Sequence, residues 1–410
     1  MICHRCWYEF ELHHLLSIAE GDGLQSDLIL GPQHALRFLS SRFDADGNAV
    51  DPSGATCKSV ACPRCRLKLP RILTQCEPIF LSLLGAPGSG KSFFLASATW
   101  SLREQSNRLP FACIDPDPVA NALLHEAEAM LFRPAGSTDL VSLKKTETSG
   151  SERYDETWFE GRQVSLPTPY VIALTEDAQK ETTKDPVTVV LYDNAGEHHL
   201  PSDEKDSKQA TGHLKCSASS IVLIDPIQHP GLRKTCSPHD PQVALAERNE
   251  AAPPRQELLI TQAVASIRKM RNLRESDAID QPLIIAVGKS DAWAPAHLGH
   301  ITQDILIRED DAITRFDLEA IKTVSNDVRA YLEKHAPEIT GTADALSSNV
   351  LYLPVSSTGG APEAKSGSGN TLGFRAGSIT PQWTMECLLL AIELANPGLL
   401  FSSNEDAVNT

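Results

Sequence analysis

The residues best equipped for chemistry are Gly85-Ala-Pro-Gly88-Ser89-Gly90-Lys91-Ser92, a Gly-x-x-x-x-Gly-Lys-Ser pattern. An apolar run of strand length, Pro78 to Leu84, leads into it, and Phe93 to Leu102 continues as a helix-compatible segment. Strand, glycine loop and helix in this order make a cradle for phosphates. The glycines let backbone N–H groups turn inward around phosphate oxygens, and the helix N-terminus adds partial positive charge. Lys91 reaches the terminal phosphates as a point charge and the Ser92 hydroxyl is placed to ligate Mg²⁺. Gly85, Gly88, Ser89, Gly90 and Phe93 complete the cradle. These residues predict a nucleoside triphosphate site.

A second group is made of cysteines. Six of the ten, Cys3, Cys6, Cys57, Cys62, Cys65 and Cys76, lie in the first fifth of the chain. Two pairs, Cys3/Cys6 and Cys62/Cys65, are Cys-x-x-Cys, a spacing at which two thiolates on one tight turn can face one tetrahedral Zn²⁺. The expectation is a closed, structural zinc site with these four ligands, with Cys57 or His4 able to replace one of them. The spacer from Cys6 to Cys62 is far longer than the roughly 15–20 residues of a compact ribbon, so an inserted helix around His34–Ser40 is expected to fill it.

Further elements end in residues that suit a nucleotide site. Val187 to Tyr192 is a buried-strand pattern ending in Asp193, with Gly196 three residues on. Ser219–Asp225 and Pro282–Gly288 are two more strands, the latter running into Lys289-Ser290-Asp291. Asn349–Val355 is another, ending in Ser356-Ser357-Thr358-Gly359. Between them lie amphipathic helices: Leu258, Ile260, Ala263, Val264, Ile267 and Met270 share one face, as do Ile321, Val324, Val328, Tyr331 and Leu332. Trp383–Leu394 reads as a closing helix. Alternating strands and helices predict an α/β fold with a mostly parallel sheet flanked by helices, plus a small N-terminal zinc-ribbon-like module. The expected organisation is 1–75 for that module, 76–400 for the nucleotide domain with a large insertion before its second strand, and 401–410 as a tail.

Composition bounds the reading. With 410 residues, 41% apolar and 22% charged, the chain is an ordinary globular protein. A net charge of −16 argues against a general nucleic-acid binder, and the short basic run Arg64, Arg66, Lys68 and Arg71 reads as a solvated face. No apolar stretch approaches the roughly 18 residues that span a bilayer. Cys3, His4, Arg5 and Cys6 interrupt any secretory signal, so a cytoplasmic protein without membrane partners is expected. Asp115, in Cys113-Ile-Asp-Pro-Asp-Pro118, reads as a turn residue and not a metal ligand.

Taken in order, the phosphate loop, Asp193-x-x-Gly196, Lys289-Ser-Asp291 and the Ser356-Ser357 turn resemble the four motifs of Ras-like phosphate-loop GTPases. The resemblance covers roughly Cys76 to Leu400. It implies Mg²⁺-dependent binding and hydrolysis of GTP to GDP. Asp193 would hold Mg²⁺ through a water, Gly196 would sense the γ-phosphate, Asp291 would accept two N–H bonds from guanine, and the Ser356-Ser357 backbone would contact the guanine carbonyl. Two departures stand out. Gly288 replaces the usual Asn or Thr, whose side chain ties this loop to the phosphate loop, which leaves an ATPase as an alternative. Glu197 replaces the usual Gln that orients the attacking water, which implies slow hydrolysis unless His198, His199 or a partner's arginine completes the site. A scaffold that holds nucleotide with negligible turnover is the other alternative. The switch threonine is either Thr146 or Thr168. Zinc ribbon, insertion, Tyr-Asp-x-Ala-Gly-Glu and Leu-Ile-Asp-Pro together are similar to bacterial double-GTPase-type proteins of conflict systems. That implies a regulatory switch with a protein partner or effector, in a system such as antiviral defence.

Overall fold

The computed structural model describes residues 1–134, 136, 140–143, 154–159, 161–176, 186–193, 212–248, 255–298, 304–364 and 372–401. Seven strands form the central sheet: β1 (Ile79–Gly85), β2 (Phe111–Ile114), β3 (Tyr170–Glu176), β4 (Val187–Asp193), β5 (Ser219–Ile224), β6 (Leu283–Val287) and β7 (Val350–Pro354). Their spatial order is β7-β6-β5-β1-β4-β3-β2. The pairs β7/β6, β6/β5, β5/β1 and β1/β4 are parallel, whereas β4/β3 and β3/β2 are antiparallel. The central strands are mostly apolar and buried along their whole length because both of their faces are covered. The expected mostly parallel sheet is therefore present, with a reversed pair of strands at one edge.

One face packs against α1 (Lys91–Glu104), α2 (Ala122–Phe132) and a C-terminal helix at Thr384–Ala395, through side chains such as Leu81, Leu83, Phe94, Leu95, Leu388 and Ile392. The other face is divided. Its β5–β7 half is covered by α3 (Gln256–Arg271), α4 (Ser290–His297), α5 (Leu318–His335) and α6 (Pro337–Leu346). The two amphipathic faces expected from sequence supply Ile260, Ala263, Val264 and Ile267, and Val324, Val328, Tyr331 and Leu332 of the α5 stripe, whereas Ile321 packs into the core with α1. Asp317 starts α5 by accepting hydrogen bonds from the Glu319 and Ala320 amides, the usual way to satisfy orphan N–H groups at a helix start. Among the described residues, no helix of that length covers the β1/β3/β4 half. Phe80, Val171, Val190 and Tyr192 pack instead against Leu73 and Trp7 of the N-terminal segment.

That segment is built from short antiparallel strands in the order Arg37–Leu39, Leu16–Ile18, Ser59–Ala61, Lys68–Leu69. The spacer between the cysteine pairs is thus not helical. Gly31–Ala35 pairs back onto Gln25–Asp27, and Arg37–Leu39 joins the sheet. The cause is local: buried Asp27 accepts from the Ile29, Leu30 and Arg37 amides and from the Arg66 side chain, which pins a tight turn where a helix would need continuous αR backbone. A hairpin from the large insertion, Tyr154–Phe159 with Arg162–Pro167, also enters this module. Its Val164 and Leu166 pack beside the cysteines, and Thr157 donates to the Cys65 carbonyl at 2.8 Å.

Candidate nucleotide and metal sites

The sheet's register explains why distant motifs meet. Gly85 lies opposite Leu223, Ile224 opposite Val287, Val287 opposite Pro354, and Asp193 opposite Leu83. The carboxyl ends of β1, β4, β5, β6 and β7 therefore form one edge, and the loops leaving them share it. β1 sits between β4 and β5, where the chain switches sides, and the crevice outside such a point is where open α/β sheets bind ligands.

At the end of β1 the chain turns through Gly88 (φ +74°) and Gly90 (φ +95°) before α1 begins at Lys91. These left-handed angles suit glycine. A Cβ on Gly85 would come within 2.6 Å of Ser89 Oγ and 2.9 Å of the Leu223 carbonyl, so close packing also requires glycine there. The N-cap residue of α1 is Gly90, which has no side chain to cap the helix. Lys91 Nζ donates to the Gly85 and Ala86 carbonyls at 2.8 and 3.1 Å, which holds the buried ammonium over the loop. Ser92 Oγ donates to Asp193 Oδ2 at 3.0 Å, joining the start of α1 to the end of β4. A hydroxyl and a carboxylate here suit Mg²⁺, which takes few protein oxygens and completes its shell with water and phosphate. The Phe93 ring turns into the core against Phe374 and leaves only its backbone for the site.

The loop after β6 is built around Gly288, Lys289 and Asp291. A Cβ on Gly288 would lie 3.3 Å from the Ile224 carbonyl and 3.5 Å from Leu223, so β5 presses directly on this position. The link between loops that a side chain at 288 would supply comes from elsewhere. Gln228 Nε2 donates to the Pro87 carbonyl of the phosphate loop at 3.0 Å. Asp225, three residues earlier, accepts from Lys289 Nζ at 2.8 Å, and the Gln256 carboxamide clamps both the N–H and the C=O of Asp225. Sequence reasoning missed Gln228 and Gln256, since nothing in their spacing marks them; Asp225, at the end of a buried strand, was visible.

Asp291 Oδ1 accepts from the Ser356 hydroxyl at 2.5 Å, and burial raises the pKa of its carboxyl although that bond opposes the shift. The Ser356 amide is engaged by the Gln382 carbonyl, and Ser97 of α1 donates to the Ser357 carbonyl. The fourth motif is thus fixed to both the third motif and α1.

Of the switch candidates, Thr146, Gly196, Glu197, His198 and His199 lie outside the described residues. Thr168 precedes β3 and its hydroxyl donates to Asp155 at 3.3 Å. It lines a cavity of about 430 Å³ between the N-terminal module and the loop before α2, together with Arg5, Pro70, Val119 and Leu123. Asp115 is held by Arg103, Asn121 and His125, in keeping with a structural role.

In the N-terminal module Cys3, Cys6, Cys62 and Cys65 form one buried group with all sulfurs within 4.8 Å of one another. Cys57 and His4 are outside it. Cys3–Cys65 and Cys6–Cys62 are 3.8 and 3.7 Å apart, too long for disulfides. A tetrahedron with Zn–S bonds near 2.3 Å has edges of about 3.8 Å, so the donor set fits a thiolate-bound zinc. The two turns repeat one design. The Arg5 and Arg64 amides donate to Cys3 and Cys62 Sγ at 3.3 and 3.4 Å, and the Trp7 and Arg66 amides close back on the Cys3 and Cys62 carbonyls at 3.0 Å. Burial raises the Cys3 pKa, whereas hydrogen bonds from Cys3, Cys6 and Cys65 lower that of Cys62.

The basic run beside these cysteines is exposed at Arg64, Lys68 and Arg71 and buried at Arg66. Arg66 is paired with buried Asp27, Arg64 lies over Tyr8 and Phe159, and Arg71 donates to the Cys57 and Lys58 carbonyls. These arginines hold the module together.

Trp7 and Arg66 each follow the second cysteine of a pair with φ of 54° and 62°. A non-glycine residue in this region costs roughly 1–2 kcal/mol. Arg66 is compensated inside the module by Asp27. Trp7 is compensated outside it: its indole donates to the Tyr192 hydroxyl at 3.0 Å, and Tyr192 donates to the His4 carbonyl at 2.6 Å.

Among known proteins, no family model and no curated sequence matches this chain. Solved structures similar to it include the signal recognition particle receptor SRb-GTP/SRX complex from Chaetomium thermophilum, at 14% identity and TM-score 0.28, covering 70% of this chain and 95% of that one. Aquifex aeolicus Era bound to GDP·AlF4⁻ is similar at 12% identity and TM-score 0.25, covering 72% of this chain and 60% of that one. Translation elongation factor SelB from Methanococcus maripaludis, in complex with a GTP analogue, is similar at 11% identity and TM-score 0.19, covering 68% and 30%. The chain is an α/β protein whose largely parallel sheet gathers four motif loops at one edge and carries a four-cysteine module on one face.

Proposed function

We propose that this chain is a Mg²⁺-dependent GTP-binding and hydrolysing switch of the Ras-like kind. The observation that carries the reading is the common edge on which the phosphate loop, Asp193, Lys289–Asp291 and Ser356 converge, with Ser92 already hydrogen-bonded to Asp193. Lys91 and the amides at the start of α1 would bind the β- and γ-phosphates, and Mg²⁺, held by Ser92 and Asp193, would neutralise phosphate charge. Asp291 would select guanine, because adenine lacks the two N–H donors that a carboxylate accepts.

Glu197 would sit where an attacking water is oriented, and its charge beside a γ-phosphate favours slow turnover that a partner accelerates. Zinc would be structural, since four cysteines leave no open coordination position. In this reading the chain is a cytoplasmic regulatory component acting with a protein effector, by its resemblance to conflict-system GTPases in a setting such as defence. The described residues contain no helix long and apolar enough to cross a membrane.

The direct test is competition of GTP and ATP for the purified, Mg²⁺-loaded protein, with Asp291→Ala alongside. A charge-assisted pair worth about 1.5–3 kcal/mol predicts a roughly ten- to hundred-fold preference for GTP, abolished in the variant. Equal binding, or a preference for ATP, would replace GTP by ATP as the substrate. Nucleotide binding without phosphate release, even with partners present, would make the chain a nucleotide-held scaffold.

A further inference from the structure

The N-terminal module packs on Phe80, Val171, Val190 and Tyr192 of the sheet, and one of these, Tyr192, adjoins the carboxylate proposed to hold magnesium. Tyr192 is the penultimate residue of β4 and Asp193 the last. The Tyr192 hydroxyl is fully buried and has two partners, both from the first cysteine turn: it donates to the His4 carbonyl at 2.6 Å and accepts from Trp7 Nε1 at 3.0 Å. His4 lies between Cys3 and Cys6, and Trp7 directly follows Cys6, so both partners are placed by the same metal-binding turn.

The described chain resumes at Gly212, and it too rests on Trp7. A Cβ on Gly212 would fall within 2.5 Å of the indole ring. His213, the next residue, stacks on Tyr192 with ring centroids 4.7 Å apart. Trp7 therefore contacts the chain on both sides of the 194–211 segment. It does so from a left-handed backbone conformation in which glycine would be unstrained. The repeat of this turn, at Arg66, turns its side chain to Asp27 within the module. The difference shows that the Trp7 side chain, and not the turn itself, requires this residue.

We propose that Tyr192 and Trp7 are positioning residues that couple the loaded Cys3–Cys6 turn to Asp193, so that the metal module sets how tightly the nucleotide edge holds Mg²⁺. The path is short. The turn fixes the His4 carbonyl and the indole, these fix Tyr192, and Tyr192 fixes the strand end from which Asp193 reaches the Ser92 hydroxyl. The coupling rests on the Mg²⁺–nucleotide reading above, and it assigns the cysteine module a role in that site beyond stability.

The test is a Mg²⁺ titration of fluorescent-GDP retention by the full chain, with zinc content and thermal unfolding measured on the same samples. Tyr192→Phe keeps the ring and removes both hydrogen bonds. It is expected to keep its zinc and to need about five-fold more Mg²⁺ for half-retention, the size expected from losing the worth of one net hydrogen bond. Trp7→Gly relaxes the turn's backbone while deleting the indole. It is expected to keep zinc and show a similar shift, and it decides the matter if Tyr192→Phe does not fold. Unchanged half-points in zinc-loaded variants would overturn the coupling alone. Failure of the unsubstituted chain to retain nucleotide at any Mg²⁺ concentration would overturn the underlying reading and the coupling with it.

Discussion

The cysteine module and the phosphate loop solve opposite problems with similar parts. Both are tight turns that aim backbone N–H groups at a charged centre, and both need residues with positive φ. In the module, four sulfurs close on one point and the Arg5 and Arg64 amides donate to them, so every ligand is supplied from within. At the phosphate loop, the residue that starts α1 is Gly90, which has no side chain to cap it, and Lys91 rests on the Gly85 and Ala86 carbonyls. The first arrangement is complete and suits a structural ion. In the proposed reading, the second takes a nucleotide from outside the chain. Closure against openness separates a site that holds the fold from one that awaits a ligand.

The largest expected effect tests closure. Cys62→Ser removes one of four buried ligands and leaves an incomplete site. Zinc content should fall to near zero and the unfolding midpoint by about 10 °C or more, because metal binding in such modules is itself folding free energy. An unchanged midpoint would show that the module is held by packing alone.

Lys91→Ala tests openness. It should lower affinity for either triphosphate by about 100-fold, as charge-assisted contacts to phosphate are lost, while the unfolding midpoint moves little. A variant that unfolds instead would make Lys91 a structural cation that bridges the Gly85 and Ala86 carbonyls.

Gln228→Ala tests whether the open site is braced from the loop after β5. Removing its bond to Pro87 should weaken GTP and ATP equally, by about three- to ten-fold, and leave their ratio intact. A change in the ratio would place Gln228 at the base and not at the phosphate loop.

The smallest effect is with pH. Burial raises the Asp291 pKa, so its carboxylate is protonated at a higher pH than an ordinary aspartate. Guanine preference should decline as pH falls through that raised value. The stability term has the opposite sign. A raised carboxyl pKa favours the protonated folded state, so its contribution is fully present below the unfolded value near 3.9 and is lost as pH rises through the folded one. Competition binding measured as pH is lowered from neutrality towards the ordinary aspartate value of about 3.9 tests the first statement, with Asp291→Asn as the pH-independent control.

Much of this molecule follows from local sequence. The phosphate loop, the strand ending at Asp193, the helix stripes at Ile260–Ile267 and Ile321–Leu332, and the two cysteine turns each consist of neighbouring residues whose spacing alone restricts the backbone and the chemistry. Spacing of two, three or four residues is set by covalent geometry, so it can be read before folding. Which partners those residues meet is set by packing between elements far apart in the chain. That Gln228 braces Pro87, that Asp225 holds Lys289, that β5 packs closely on Gly288 and that Tyr192 reaches the His4 carbonyl are all of this kind. So is the spacer's choice of strands over helix, which turns on Asp27 meeting Arg66 thirty-nine positions away. Side-chain hydrogen bonds at such separations leave no periodic trace in the sequence, and only the tertiary structure decides them.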